Sequence, residues 1–341
     1  MMVIRPIQAS DFASLHDIAV ESGIGFTSLP VNDDLLRNKI ARSEQSFASD
    51  VDKPGEESYL FVMEDASTRE VVGTSGIQAA VGLDDAFYHY HVGKVAHASR
   101  ELNIYNLVDI LTFCNDYTGV TEICTLFLRE RARKGNNGRF LSKFRFLFLA
   151  EHAQRFSETV IAEMRGVSDE NGNSPFWQWL EEHFFSMDFP TADYLTGIGQ
   201  KVFIAELMPK HPIYVSLLSK EAQAVIGKVH EKTKPALRLL QSEGFTNRGY
   251  VDIFDAGPTV EANLHHIRTV EASNRLPAAV GDTEGGTLHI VINTRLSGFR
   301  GVLTKVKVED EQRAVLSQEA LDALQIGEGD MVRFAPLKLK E

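Results

Sequence analysis

The stretch from Phe140 to Ala153 constrains the fold more than any other part of the chain. It reads as the middle of a helix starting at Gly138 and reaching about Phe156, apolar on most of its sides. Such a helix is stable only when protein covers it nearly all round. Lys143, Arg145, Glu151 and His152 interrupt it, and it is too short and too charged to span a bilayer. The fold must therefore supply packing layers on several faces of one helix. A chain of 341 residues has room for two or three domains and a large core.

The flanking sequence supplies strands for those layers. Val3–Ile7 is extended and apolar. Ser10 is expected to cap a helix from Asp11 to Glu21, and Asn32 a second one carrying Leu35, Leu36 and Ile40. Tyr59–Glu64 and Glu70–Val81 read as strands, the latter with Gly73, Ser75 and Gly76 marking close backbone approach. Asp84 to Thr118 has the look of an insertion. Strands follow at Glu122–Leu128 and Thr159–Met164, and Ser174-Pro175 opens a short aromatic helix. Lys201–Leu207 and Gly249–Asp255 read as further strands. Asn274–Gly286 resembles a linker, beyond which Thr287–Asn293 and Gly301–Val308 alternate as strands of a small β-rich appendage. The class is α+β, with units expected over 1–185, 186–274 and 275–341.

Thirty-five Lys and Arg against 47 Asp and Glu leave a net charge of −12. That charge argues against nucleic acid and anionic membrane as partners. The N-terminal Met-Met-Val-Ile-Arg-Pro lacks the pattern of a secretory signal, so a cytoplasmic location is expected. Cys114 and Cys124 are too few for a disulfide framework. Against this background Arg129 to Arg145 stands out, with seven basic residues and one acid, Glu130. It joins a strand to a helix start through Gly135-Asn-Asn-Gly138. Backbone N–H groups and the helix dipole make such a turn an anion cradle, suited to a pyrophosphate.

Neither a P-loop nor G-x-G-x-x-G is present. Arg133-Lys-Gly-Asn-Asn-Gly-Arg-Phe-Leu141 instead resembles the pyrophosphate loop of GNAT acyltransferases, R/Q-x-x-G-x-G/A-x-x-L, with Asn136 standing in for the first glycine. The order β-α-α-β-β-β-α-β-α matches that fold apart from the insertion. Longer blocks are more specific, among them His97-Ala-Ser-Arg-Glu-Leu-Asn, Ala162-Glu-Met-Arg-Gly-Val, Phe184-Phe-Ser-Met-Asp-Phe and Ala205-Glu-Leu-Met-Pro-Lys-His-Pro-Ile-Tyr. In their order they resemble the arginine N-succinyltransferase family.

The resemblance implies a GNAT-type acyl-CoA N-acyltransferase core with an elaborated second half. It implies transfer of succinyl from succinyl-CoA to the α-amine of L-arginine, with no permanent cofactor. It also implies His230, after Val225-Ile-Gly-Lys-Val, as proton donor, and Leu126 as a succinyl-CoA contact acting through its main chain. Arg133, Asn136, Gly138 and Arg139 form the expected cradle. Ser28 in Thr27-Ser-Leu-Pro and Glu163 are candidate acceptor contacts, Glu163 for the guanidinium. No metal is expected, because His89, His91 and His97 lack a further ligand at known spacing. Cys124 reads as a buried thiol, and Trp177 and Trp179 as core. An apolar β-rich edge allows a homo-oligomer. Three alternatives stand: ornithine as acceptor; a non-catalytic CoA- or arginine-binding subunit; and a polyamine or protein acetyltransferase, which the Ala205–Tyr214 block disfavours.

Overall fold

The computed structural model describes residues 1–23, 26–170 and 172–338. The strands are β1 (Met2–Pro6), β2 (Ser58–Asp65), β3 (Glu70–Gln78), β4 (His89–Ser99), β5 (Ile104–Cys114), β6 (Thr121–Leu128), β7 (Thr159–Glu163) and β8 (Ile213–Tyr214). They continue with β9 (Thr246–Val251), β10 (Pro258–Asn263), β11 (Asn274–Val280), β12 (Thr287–Asn293), β13 (Gly301–Glu309), β14 (Arg313–Leu316) and β15 (Met331–Pro336). The helices are α1 (Phe12–Ser22), α2 (Asp33–Ala48), α3 (Asn137–Glu151), α4 (Pro175–Leu180) and α5 (Phe189–Gly197). After them come α6 (Val202–Leu207), α7 (Lys220–Val225), α8 (Lys234–Ser242), α9 (Arg268–Glu271) and α10 (Gln318–Leu324). The result is an α+β fold. Among the described residues, no helix is long and apolar enough to cross a membrane.

The main sheet runs β1-β2-β3-β6-β7-β10-β9-β4-β5-β8. Next to β1, strands β12-β15-β11-β14-β13 close on themselves, because β13 returns to β12 from Thr287↔Val306 to Ile292↔Gly301. This five-strand barrel is continuous with the sheet through Val3↔Val302. Between barrel and sheet lies α3. It packs on β3 and β6 on one side, and on β12, β15 and α9 on the other. Every residue from Phe140 to Leu149 is buried. The all-round apolar sequence is therefore explained by two covering layers from opposite ends of the chain. Phe299, from the barrel, meets Phe61, Phe144 and Phe148 at 5.0–6.1 Å between ring centroids. Helices α1 and α2 cover the other face of β1–β3 through Ile18, Leu36 and Ile40.

Several elements differ from expectation, each for a local reason. Helix α1 begins at Phe12, after a 3-10 turn over Ala9–Asp11, because the Asp11 carboxylate is held by Arg5 and by the Gln8 amide. Asn32 does cap α2, accepting from the Leu35 amide. Residues 202–207 are helix, with Ile204 buried in a cluster around Trp177; the apolar run imitated a strand, but packing on one face satisfies it. Strand β9 stops at Val251, where the Asp252 side chain accepts the Phe254 and Asp255 amides and forces a turn. The stretch read as a linker is mostly β11. Pro277 fits there because β11 changes partner at that point, pairing with β15 through Pro277 and with β14 from Ala278. The insertion is the β4–β5 hairpin, paired from His89↔Cys114 to Ser99↔Ile104. Residues 339–341 of the expected C-terminal unit lie outside the described residues.

A buried ion pair fastens α3 to its surroundings. Lys143 Nζ lies 2.9 Å from Glu243 Oε1 and donates to the Leu337 carbonyl, while Glu243 Oε2 accepts the Thr269 amide. Removing the cation strands a buried carboxylate, which costs about 3 kcal/mol or more. Lys143→Met is expected to lower the urea midpoint of unfolding accordingly while leaving CoA affinity intact. An unchanged midpoint would contradict this role.

Candidate functional site

Strands β6 and β7 run parallel but stay together only briefly. They pair at Thr121↔Val160 and Glu122↔Ile161 and then part. From Ile123 onward β6 keeps its β3 neighbour but presents its other edge to a cleft of about 1440 Å³. The opposite wall is the end of β7, Arg165 and α8. Along β6 the register against β3 slips, so that Thr125 and Leu126 stand opposite Ser75 alone. Thr125 has φ +52°, an unusual conformation for a β-branched residue. The bulge re-aims the β6 backbone in the middle of the cleft. Gly76 makes it possible, since a Cβ there would sit 3.2 Å from Thr125 and from Cys124 Sγ.

At the far end of β6 the chain turns into α3. The left-handed residue of the turn is Gly135 (φ +57°), not Asn136, whose φ is −109°. Asn136 is thus the helix N-cap, and it faces Arg268 and Glu271 on another surface rather than the cleft. Gly138 and Arg139 belong to the first turn, ahead of the first regular helical bond from Phe140 N to Asn136 O. Both line the cleft with Arg133 and Lys134. A Cβ on Gly138 would meet protein only at Leu128, 3.9 Å away, so the space above this amide is open. The basic run is less free than its charge suggests. Arg129 reaches Asp17 and Glu21, Arg131 pairs with Glu70, and Lys143 is committed to Glu243. Arg133 donates to the Leu128 carbonyl, and Arg145 is buried against Ser142. Lys232 and Arg238 add positive charge from the α8 side.

At the fork itself the lining is acidic. Glu122, Glu163, Asp252 and Asp255 all border the cleft. Burial, followed by the charge of Glu163, pushes the Glu122 carboxyl up to about 8. Burial and then Asp252 likewise raise Glu163 above the carboxylate range. His89, fully buried, places Nε2 2.9 Å from Glu163 Oε1, and burial depresses its basicity so that the ring is neutral. Asp255 is structural: it accepts the Gly166 and Gly257 amides at 2.6 and 2.8 Å. Sequence inspection misses Glu122 and Asp252 as site residues and reads His89 only as structural or substrate-side. Each sits at a strand end, and only the pairing of β6, β7, β9 and β4 gathers them.

The remaining candidates are dispersed around this centre. Leu126 lines the cleft at the bulge, and Ser28 lines it beside Thr27, whose hydroxyl bonds Asp193. His230 lies next to the cleft, because Gly166↔Val229 form a bridge and the His230 amide donates to the Arg165 carbonyl. Its Nδ1 accepts the Lys232 amide at 3.1 Å, which leaves Nε2 for a ligand. Burial, Arg165 and Lys232 all lower its basicity. Cys124 is half-buried at the cleft wall rather than enclosed in a core, and burial with Glu122 pushes its thiol up to about 12. Trp177 is core, with its indole N–H on the Met187 carbonyl.

A forked parallel strand pair, an open helix start at one end and carboxyls at the crotch are the working parts of an N-acyltransferase. The chain belongs to the arginine N-succinyltransferase beta subunit family, which it matches over residues 2–269, with the family's C-terminal domain matched over residues 272–336. It is 48% identical to the arginine N-succinyltransferase of Yersinia pestis (strain Pestoides F), covering 99% of this chain and 98% of that one. Identity to the protein of that name from Citrobacter koseri is also 48%, over 100% of this chain and 99% of the relative. Among solved structures it resembles arginine/ornithine succinyltransferase subunit AI from Pseudomonas aeruginosa, with a TM-score of 0.91, 37% identity and 99% of both chains covered.

The acidic fork carries a stability cost with a definite sign. Between 4.5, the ordinary value, and about 8, the unfolded chain releases the Glu122 proton while the folded one retains it. Rising pH across that window therefore favours unfolding. Glu122→Gln removes the penalty. Its melting temperature without ligands is expected to exceed the parent's at pH 8, with the gap shrinking toward pH 5. Scanning fluorimetry at both pH values checks this, and a variant less stable at pH 8 would contradict it.

Proposed function

We propose that this chain transfers the succinyl group of succinyl-CoA to the α-amine of L-arginine, yielding N2-succinyl-L-arginine and CoA. The observation that carries this reading is the polarity of the cleft. One end is cationic at a helix start, the other is acidic at the strand fork, and an open β-edge joins them. A nucleotide thioester and a cationic amino acid complement these two ends. Family membership, with curated relatives named arginine N-succinyltransferase, supports the same pairing.

In this reading the CoA pyrophosphate rests on the amides of Gly138 and Arg139 with Arg133 beside it. The pantetheine arm lies along β6 and pairs with the main chain of Leu126 as an added strand. Asn136 holds the helix start through its carbonyl, which accepts the Phe140 amide, rather than touching the ligand. Between Leu128 and Glu122 the strand advances roughly 20 Å, on the order of the arm's length, which brings the thioester to the fork. Arginine enters past Ser28 toward the carboxyls. Its α-amine attacks the thioester carbonyl directly, and the C–S bond breaks as the electron pair leaves on sulfur. His230 then protonates or hydrogen-bonds the departing thiolate through Nε2. Residues 1–185 form the acyl-CoA-binding core, 186–274 complete the site, and 275–341 form the β-rich unit that covers α3. Leu102, Ile104, Tyr105 and Leu107, exposed on the β4–β5 hairpin, offer an apolar surface for a homo-oligomer. A cytoplasmic location suits succinyl-CoA as donor.

Thiol release from succinyl-CoA is expected with L-arginine, and far less from acetyl-CoA, which lacks the terminal carboxylate. Because the Pseudomonas relative is described as an arginine/ornithine enzyme, L-ornithine is the second acceptor to measure. Equal rates from both donors would overturn the succinyl assignment. Gly138→Val is expected to fold, given the open space at its Cβ, yet to weaken CoA binding at least tenfold by calorimetry. Unchanged affinity would remove the cradle from the reading.

A further inference from the structure

We propose that Glu163 is the base that removes the proton from the attacking α-ammonium group, and that His89 is the positioning residue holding its carboxyl at the fork. The inference rests on the succinyl-transfer reading and assigns Glu163 to the α-ammonium rather than to the guanidinium.

Position comes first. Glu163 follows Ile161, the last β7 residue paired with β6, by two residues, so it stands on the cleft side of the fork beside Glu122. Its side chain is 30% exposed, while that of His89 is 0% exposed. The His89 ring is boxed edge-on by Phe87, Tyr117 and Tyr250 at 4.9–6.4 Å. Two walls of that box are themselves pinned, with the Tyr117 hydroxyl donating to Glu261 and the Tyr250 hydroxyl to Asp116. A ring so enclosed has little room to turn. Its Nε2 stands 2.9 Å from Oε1 of Glu163 but out of line for a hydrogen bond. Neither ring nitrogen has a hydrogen-bond partner among the described residues, so the Glu163 carboxyl is the group this ring is placed to hold. The charged groups facing the pair are Glu122 on β6, Asp116 after β5, Asp252 after β9 and Lys201 before α6; Lys39 on α2 acts on Glu122.

Chemistry separates the two roles. A guanidinium stays charged at any working pH and needs a permanently ionised partner. An α-ammonium must instead lose a proton before its nitrogen can attack. Burial and then the charge of Asp252 raise the proton affinity of Glu163 toward that of an amine, which suits a base and not a counter-ion. The proton passes from nitrogen to the Glu163 carboxylate, and the freed lone pair forms the C–N bond. The C–S pair leaves on the CoA sulfur, which takes a proton from His230 or water. The proton held by Glu163 returns to solvent through the cleft.

The test measures kcat and KM against pH with succinyl-CoA for wild type, Glu163→Gln, Glu163→Asp and His89→Gln, using L-arginine and L-arginine methyl ester. The ester's α-amine is less basic and is largely deprotonated at the upper end of the range. Glu163→Gln is expected to lower kcat about a hundredfold with arginine, to shift KM for arginine less than about threefold, and to abolish the acidic limb of the kcat profile. Its deficit with the ester is expected to be at least tenfold smaller, and Glu163→Asp to recover part of the rate. His89→Gln is expected to lower kcat with KM nearly unchanged. A hundredfold rise in KM for arginine at wild-type kcat would make Glu163 a guanidinium counter-ion and overturn the proposal. Wild-type kcat in Glu163→Gln would overturn it as well. Wild type that releases no CoA with arginine would overturn the succinyl-transfer reading and this proposal with it, whereas an active wild type and an active Glu163→Gln variant sink the second alone.

Discussion

Two residue pairs, Thr121↔Val160 and Glu122↔Ile161, hold β6 and β7 together before the strands diverge. Nearly everything about the site depends on that short contact. A fully paired β6 would have no free edge, no cleft and no crotch at which to collect carboxyls. The separation is maintained by what each strand packs against. β6 follows β3 and the buried helix α3, whereas β7 follows β10, paired from Thr259↔Glu163 to Asn263↔Thr159. Leaving backbone groups unpaired along a central strand is unfavourable unless water or a ligand satisfies them. The fork is thus built to be filled.

Electrostatics organises what fills it. Cations gather at the α3 start, and acids gather at the fork about one strand's length away. Burial and neighbouring negative charge raise the proton affinity of Glu122 and Glu163. An incoming cation relieves that crowding, so the same groups that weaken the ligand-free protein favour the bound one. Much of the remaining positive charge around α3 is spent internally. Lys143 and Arg129 join helix, strand and barrel, which separates the ionic links of the scaffold from the few basic groups left for a ligand.

The barrel is part of the same construction. Phe299, Ile290 and Ile292 complete the packing of α3 from the side opposite β6. Through α3, the last third of the chain therefore fixes where Gly138 and Arg139 present their amides. The β4–β5 hairpin contributes in a parallel way, since its first residue, His89, reaches Glu163 across the sheet.

The linear sequence determined the elements whose signals are local. Asn32 and Ser174 cap helices because their side chains reach amides three residues on. The turn at Gly135–Gly138 announces a helix start, the all-round apolar helix demands cover on both sides, and the blocks from His97 to Tyr214 identify the family. Tertiary structure decided the rest. Residues 202–207 carry strand-like composition but are helical because a single buried face satisfies them. Asn274–Gly286 has linker composition but forms β11, since Pro277 falls where the strand changes partner. Asn136 was expected in the left-handed position of the turn, but that position falls one residue earlier, at Gly135, and Asn136 stands at the N-cap with only its carbonyl engaged by the helix. His89, Glu122, Glu163 and Asp252 are distant in the chain; Glu163 stands out through the block that carries it, but no local pattern marks Glu122 or Asp252 or joins the four into one site. Their meeting is a property of strand order and register, which depend on long-range pairing that no local pattern encodes.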